Sequence, residues 1–325
     1  MSKIKLIYGL GDRGKNAIHT VGGKAAHLGE MIKHGIPIPD GFVLSTSAFE
    51  RFINHSPFRQ EIRETLDQEI ELTELIATSK KLQKYILETE FPSEIRDPII
   101  KRFKDLESNT PFPLEVAVRS SANVEDLVKT SFAGQADTFL CISTVEDLID
   151  SIKRCWASIY SARALMYIQQ MVKVPLNLVS IGVVIQKMVN SEVAGVMFTA
   201  NVLTKDKTQT LINAAWGFGE SIADGQVVPD SLTIDKDSTN IVKMRIGSKL
   251  KMSIRHPNAC GTILADTPLD KQDVLCLTTD QIEELVNYGI KIEKFFNDIP
   301  QDVEWAIEEG RILILQARAI TSKLD

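Results

Sequence analysis

Apolar residues recur along this chain with two different periods, and the two periods predict different elements. Short apolar or alternating runs at 4–8, 42–44, 116–118, 181–189, 193–198 and 211–216 predict β-strands, whose successive side chains point to opposite faces. Ala25, Leu28, Met31 and Ile32 recur at helical spacing, which predicts a helix that Lys24 opens. Val145, Leu148, Ile149, Ile152, Trp156 and Ile159 predict a helix over 144–171, and Ile282, Leu285, Val286 and Ile292 predict another over 278–296. Thr144 with Asp147, and Thr278 with Gln281, have the spacing of N-terminal capping boxes. The charged stretch 59–106 is helical in pattern, with interruptions expected near Pro92 and Pro98. Strands 181–189 and 193–198 are expected to turn back on one another at Asn190-Ser191.

The last strand pair carries the densest chemistry. Residues 302–307 and 311–318 are β-like runs joined by Glu308-Glu309-Gly310. A two-residue loop sets Glu304 across from Leu315, whereas a three-residue loop with Gly310 left-handed shifts the register by one. Because strand side chains alternate, the shifted register gathers Asp302, Glu304, Gln316 and Arg318 on one face and leaves Val303, Trp305, Leu313 and Leu315 for the other. A bulged or three-residue turn at 308–310 is therefore expected. The gathered set suits a hard divalent cation beside a phosphate, with oxygens for the ion and a guanidinium for the anion.

Two glycine clusters lie near the start. Gly9-Leu10-Gly11-Asp12-Arg13-Gly14 matches a dinucleotide fingerprint, and Gly9 to Asn16 nearly matches a phosphate-binding loop. Both motifs need a helix to begin at once, the second also needs a hydroxyl where Asn16 stands, and Gly22-Gly23 interrupts too soon. The second cluster, Gly22-Gly23-Lys24-Ala25, is better placed: a cation in a helix's first turn opposes the helix dipole, and a bound anion would remove the conflict. Arg119-Ser120-Ser121-Ala122 is expected as a loop directly after a buried strand. Ser131-Phe132-Ala133-Gly134-Gln135 is a small-residue loop able to bring backbone amides close to a phosphate. The 211–216 strand runs into Gly217-Phe218-Gly219-Glu220.

Composition narrows the class. With 325 residues the chain is expected to hold two lobes, placed at 1–184 and 185–325. A net charge of −6 argues against a nucleic-acid or anionic-membrane binder, so any anion site is local. The four cysteines form no Cys-x-x-Cys pair, and no apolar run is long enough to span a membrane. A cytoplasmic location is expected.

Taken together, Gly22-Gly23-Lys24-Ala25, Val118 to Asp126, Ser131 to Gln135, Gly217-x-Gly219-Glu220, Asp302-x-Glu304-Trp305 and Gln316-x-Arg318 resemble the nucleotide-binding portion of the phosphoenolpyruvate synthase and pyruvate phosphate dikinase family. That resemblance implies an α+β, ATP-grasp fold with two lobes closing over ATP. It implies Lys24 and Arg119 on the phosphates, and Ser131, Ala133, Gly134 and Gln135 in a covering loop, with Thr138 and Glu220 as further nucleotide contacts. Gln186, Met188 and Val189 would read adenine. Glu304 and Gln316 would hold Mg²⁺, with Asp302 and Arg318 beside the transferring phosphates. It further implies an ATP-dependent phosphotransferase of dikinase type, incomplete without a phosphohistidine swivelling domain or subunit, since none of the five histidines matches a family histidine motif. A free-standing subunit, as in phenylphosphate synthase, a rifampin-phosphotransferase-like parent and a nucleotide-sensing module stay open.

Overall fold

Neighbouring strands run antiparallel in both large sheets of the computed structural model, which describes residues 5–110, 113–123, 138–257 and 261–320. The chain forms two compact units, Met1–Gly29 with Asp40–Met188, and Glu30–Pro39 with Val189–Asp325.

The first unit begins with β1 (Ile7–Gly9), α1 (Ile18–Val21) and α2 (Gly23–Lys33), and continues through β2 (Gly41–Leu44), α3 (Thr46–His55), α4 (Arg59–Leu66), α5 (Leu75–Glu88) and α6 (Ser93–Ser108). It ends with β3 (Val116–Ala122), β4 (Thr138–Ile142), α7 (Val145–Ser158), α8 (Ala162–Tyr167) and β5 (Ile181–Lys187). Its sheet has the order β1-β2-β5-β3-β4. Helices cover it around Phe49, Phe52 and Trp156, whose rings pack 4.7–5.8 Å apart and are almost fully buried. Each such side chain contributes roughly 1.5–3 kcal/mol by leaving water.

The second unit comprises β6 (Val193–Phe198), β7 (Gln209–Trp216), α9 (Glu220–Ala223), β8 (Asp230–Asp235), β9 (Ile241–Arg245), β10 (Lys251–Arg255), β11 (Thr262–Asp266), α10 (Leu269–Gln272), α11 (Thr279–Phe295), β12 (Gln301–Glu308) and β13 (Arg311–Ala319). Among the described residues its sheet has the order β13-β12-β6-β7-β8-β9, and β10 pairs with β11. The capping box at Thr278 and Gln281 forms, and Ile282, Leu285, Val286 and Ile292 are buried. No helix among the described residues is long and apolar enough to cross a membrane.

Four expectations are corrected. Strands β5 and β6 do not pair with each other; they belong to different sheets, so Asn190-Ser191 is a connection rather than a hairpin turn. The 144–171 helix is broken between α7 and α8, where the Ser158 hydroxyl donates to Cys155 O at 2.8 Å and the extended Ser161 accepts from Ala164 N at 3.2 Å. Such hydroxyls compete with the helical backbone. Helix α6 runs through Pro98 rather than ending there. Pro98 and Glu94 are both exposed, so water can serve the Glu94 carbonyl that proline leaves without a donor. Finally, Arg119 to Ala122 form no loop: β3 continues through them because β5 pairs with it as far as Ala122↔Ile181.

Candidate functional site

In the first unit, two basic residues arrive on segments that are locked together. Gly22 has φ +79°, and a Cβ there would lie 1.8 Å from Ser121 O, so only glycine lets the chain turn this closely against β3. The Ser121 hydroxyl then accepts from Ala25 N at 3.1 Å, capping α2 from a residue 96 positions away. Strand alternation puts Arg119 on the same face of β3 as Ser121. Lys24 lies in the α2 turn that Ser121 caps. Arg119 stands opposite Val184 of β5 and Thr138 of β4, which brings Thr138 beside it. Ser131, Ala133, Gly134 and Gln135 lie outside the described residues.

At the end of β5, Gln186 is buried and pairs with Gly41 and Ala117. Met188 N donates to Glu115 O at 2.9 Å. Its amide is thereby committed within the first unit.

The second unit holds the carboxylates. The loop between β12 and β13 has two residues, Glu309 and Gly310, with φ +51° and +73°, and Glu308 stands opposite Arg311. This corrects the bulged or three-residue turn expected there. Two left-handed residues form the hairpin turn whose twist matches that of the strands. The register shift comes from further along. Trp305 pairs with Ile314 but Glu304 pairs with Gln316, so Leu315 is an extra residue, a β-bulge. The bulge moves β13 by one position and restores Glu304 opposite Gln316 and Asp302 opposite Arg318.

The two-residue turn, by pairing Ala306 with Leu313, also changes which face the leucines occupy. Leu313 and Leu315 do not join Val303 and Trp305; they pack with Ala306, Val189 and Ala194, on the carboxylate face. An apolar patch therefore borders Glu304 and Gln316. Val189 belongs to it, and the adjoining segment is pinned to the hairpin tip: Asn190 N donates to Glu308 Oε1 at 2.6 Å, and Glu309 N to Glu192 Oε1 at 3.0 Å.

Arg318 donates from Nε and Nη2 to the same oxygen of Asp302, Oδ2, at 2.9 and 2.7 Å. Burial nevertheless raises the Asp302 carboxyl above its usual range, outweighing the arginine. Gln316 is buried, and its Oε1 has no hydrogen-bond partner among the described residues. A buried amide oxygen left in that state costs free energy unless a ligand takes it. With Glu304 directly opposite, the donor set is a carboxylate and an amide oxygen beside a second carboxylate, which fits a hard divalent ion. No group of three His, Cys, Asp or Glu suited to a metal occurs among the described residues. Glu220 opens α9 and accepts from the Ser253 hydroxyl at 3.0 Å.

A family model described as the pyruvate phosphate dikinase AMP/ATP-binding domain matches residues 18–325. The chain belongs to that family. It is an AMP/ATP-binding domain with an α+β fold of the ATP-grasp class. It is 37% identical over 322 residues to a probable phosphoenolpyruvate synthase of Methanocaldococcus jannaschii, covering 98% of this chain and 27% of that protein. It is 40% identical over 316 residues to a probable phosphoenolpyruvate synthase of Archaeoglobus fulgidus, covering 96% and 41%. Against the phosphoenolpyruvate synthase of Pyrococcus furiosus it is 36% identical over 355 residues, covering 95% and 43%. The chain thus spans less than half the length of these relatives. Among solved structures, the D-alanine-D-alanine ligase of Helicobacter pylori aligns with a TM-score of 0.30 at 9% identity, over 68% of this chain and 46% of that one, too weak a likeness to bear on the fold.

Sequence reasoning missed Ser121, the Leu313 and Leu315 patch and the bulge. Ser121 had one available signal: it shares the strand parity of Arg119, which shows once β3 is extended.

Proposed function

We propose that this chain binds Mg²⁺ and ATP and passes the β-phosphoryl group of ATP to a histidine on a swivelling domain, carried on a separate or a longer polypeptide. ATP, histidine and water give phosphohistidine, AMP and phosphate, and the phosphohistidine serves an acceptor such as pyruvate or a phenol. The observation that carries this reading is the buried Gln316 Oε1, without a hydrogen-bond partner among the described residues, beside Glu304 on a strand pair that also presents Arg318.

Lys24, at the dipole-positive end of α2, and Arg119 bind phosphate oxygens. The Ala25 amide is taken by Ser121, so α2 contributes its dipole and Lys24 rather than that amide. Glu304 and Gln316 hold the metal, which when bound neutralises charge on the phosphate oxygens. Arg318 turns from Asp302 toward the transferring phosphates, where its planar fork suits bidentate contact. Val189 and the Leu313 and Leu315 patch exclude water from the apolar part of the nucleotide, and the Met188 carbonyl and Gln186 orient it. Thr138, Glu220 and the 131–135 segment complete the nucleotide contacts. Positioning and charge neutralisation supply most of the rate in such transfers.

The test is to incubate the chain with Mg²⁺, ATP labelled at the β-phosphorus and a candidate phosphohistidine-domain protein. AMP together with acid-labile label on that protein is the expected outcome. ADP as the sole product, or tight nucleotide binding with no transfer to any supplied partner, would overturn the proposal in favour of a different kinase or a nucleotide-sensing module.

A further inference from the structure

A buried polar chain reaches the carboxylate hairpin from α11 and from the residue that follows β8. Thr199, the residue after β6, is fully buried and grips both backbone groups of Gln301, the first residue of β12. Thr199 N donates to Gln301 O at 2.8 Å, and Gln301 N donates to the Thr199 hydroxyl at 2.7 Å. A side-chain oxygen thus takes the place that a backbone carbonyl has in the rest of the ladder. The hydroxyl proton is committed in turn, because Thr199 Oγ1 donates to Glu293 Oε1. Glu293 lies in the last turn of α11 and is held by Lys236 Nζ, which donates to its two oxygens at 2.9 and 2.8 Å. Both charged side chains are mostly buried, at 12% and 14% exposure, so the pair is shielded from solvent screening. Lys236 is anchored by its own amide to Thr208 O at 2.9 Å.

This arrangement sets the direction of every hydrogen bond. With its lone pairs facing the Lys236 ammonium, Glu293 accepts from Thr199, which leaves the threonine oxygen as the acceptor for Gln301 N. The next residue is Asp302, and Glu304 follows two positions later on the same face. Since a one-residue slip moves a strand's side chains to the opposite face, whatever fixes Gln301 fixes the face that Asp302 and Glu304 present. The pairing of β12 with β13 shifts register at Leu315, whereas its pairing with β6 runs regularly from Asp302↔Phe198 to Ile307↔Val193, and the grip of Thr199 on Gln301 closes the end of that regular ladder.

We infer that Thr199 and Glu293, with Lys236 holding Glu293, are positioning residues for the metal and phosphate groups of the hairpin. The inference rests on the function proposed above only in what the hairpin binds; its geometric part concerns residues 301–305.

Four variants test it: Thr199→Val, which removes the hydroxyl; Thr199→Ser, which keeps it; Glu293→Gln, which keeps an acceptor but loses the lysine's grip; and Lys236→Met. Two readouts apply, amide hydrogen exchange of residues 301–305 in the metal-free protein and the Mn²⁺ concentration giving half-saturation with a non-hydrolysable ATP analogue. Thr199→Val is expected to speed exchange at 301–305 relative to the β7 and β8 amides. It is also expected to raise the Mn²⁺ requirement about tenfold, the low end of what losing a ligand's direct outer partner costs, because Thr199 acts on Glu304 only through the strand that begins at Gln301. Thr199→Ser should restore both, and Glu293→Gln and Lys236→Met should fall between. Unchanged values in Thr199→Val, failure of serine to rescue, or equal acceleration across the whole sheet would overturn the inference. If Thr199→Val does not fold, Glu293→Gln and Lys236→Met decide by the same readouts. A wild-type chain that binds no Mn²⁺ with nucleotide would sink the proposed function, while the exchange readout would still decide the positioning claim.

Discussion

Glu304 stands directly opposite Gln316 across β12 and β13, and it does so only because Leu315 is an extra residue in the second strand. Gln316 therefore places a buried amide oxygen, without a partner among the described residues, beside a carboxylate. Gln316→Leu exchanges that amide for an apolar side chain of similar size. Metal-free stability is expected to stay level or rise by up to about 2 kcal/mol, since an unsatisfied buried polar group is removed. The same variant should lose the extra stability that Mg²⁺ and ATP give the wild type. Thermal unfolding with and without Mg²⁺ and ATP checks both halves. A clear loss of metal-free stability would mean that Gln316 serves the fold.

Gly22 and Ser121 are bound to each other's presence. Gly22→Ala puts a methyl group into the Ser121 carbonyl at a positive φ and is expected to destabilise the first unit by about 3 kcal/mol. Ser121→Ala removes only the cap on Ala25 N and should cost about 1 kcal/mol. Because α2 carries Lys24, that milder variant should also weaken ATP binding. Urea unfolding and nucleotide titration of the two variants give the ranking.

Asp12 supplies a pH signature in the first unit. Its carboxylate accepts from Lys5 Nζ at 2.8 Å and Gly9 N at 3.0 Å, and the lysine is the main cause of a lowered pKa. A carboxyl whose folded pKa lies below its unfolded one stabilises the fold above the unfolded value and loses that contribution as pH falls through the folded one. The pair is largely exposed, so solvent screening keeps the effect below about 1 kcal/mol. Lys5→Met should lower stability at pH 7 and converge with wild type in acid, as the pH falls through the lowered folded pKa of Asp12. Urea midpoints measured from pH 2 to 7 show whether the curves meet.

Cys276 is expected to be inert. Its thiol is buried and donates to Asp230 Oδ2 at 3.0 Å, and burial first, then the carboxylate, pushes its pKa far above the usual thiol range. Asp230 also accepts from buried Lys249, so the group is a closed structural cluster. Thiol labelling of native protein at pH 8, mapped by mass spectrometry, should leave Cys276 unmodified until the chain unfolds.

Local chemistry made much of this molecule legible. The capping box of α11, the alternation of β12 and the glycine turn into α2 are written in neighbouring residues. What stayed hidden depends on distant partners. Leucine suits either face of a strand, so nothing local marks Leu315 as the bulge. Strands β5 and β6 are both apolar and adjacent in sequence, yet they join different sheets because their pairing partners, β3 and β12, lie far away along the chain. Thr199 and Glu293 are 94 residues apart and carry no motif between them.

The most direct measurement is Mn²⁺ titration by electron paramagnetic resonance, with a non-hydrolysable ATP analogue present, on wild type and Glu304→Gln. One tightly bound Mn²⁺ per chain is expected in the wild type, with affinity at least about tenfold weaker in the variant and its thermal midpoint preserved. Equal Mn²⁺ affinity in the two proteins would contradict the metal site at Glu304 and Gln316.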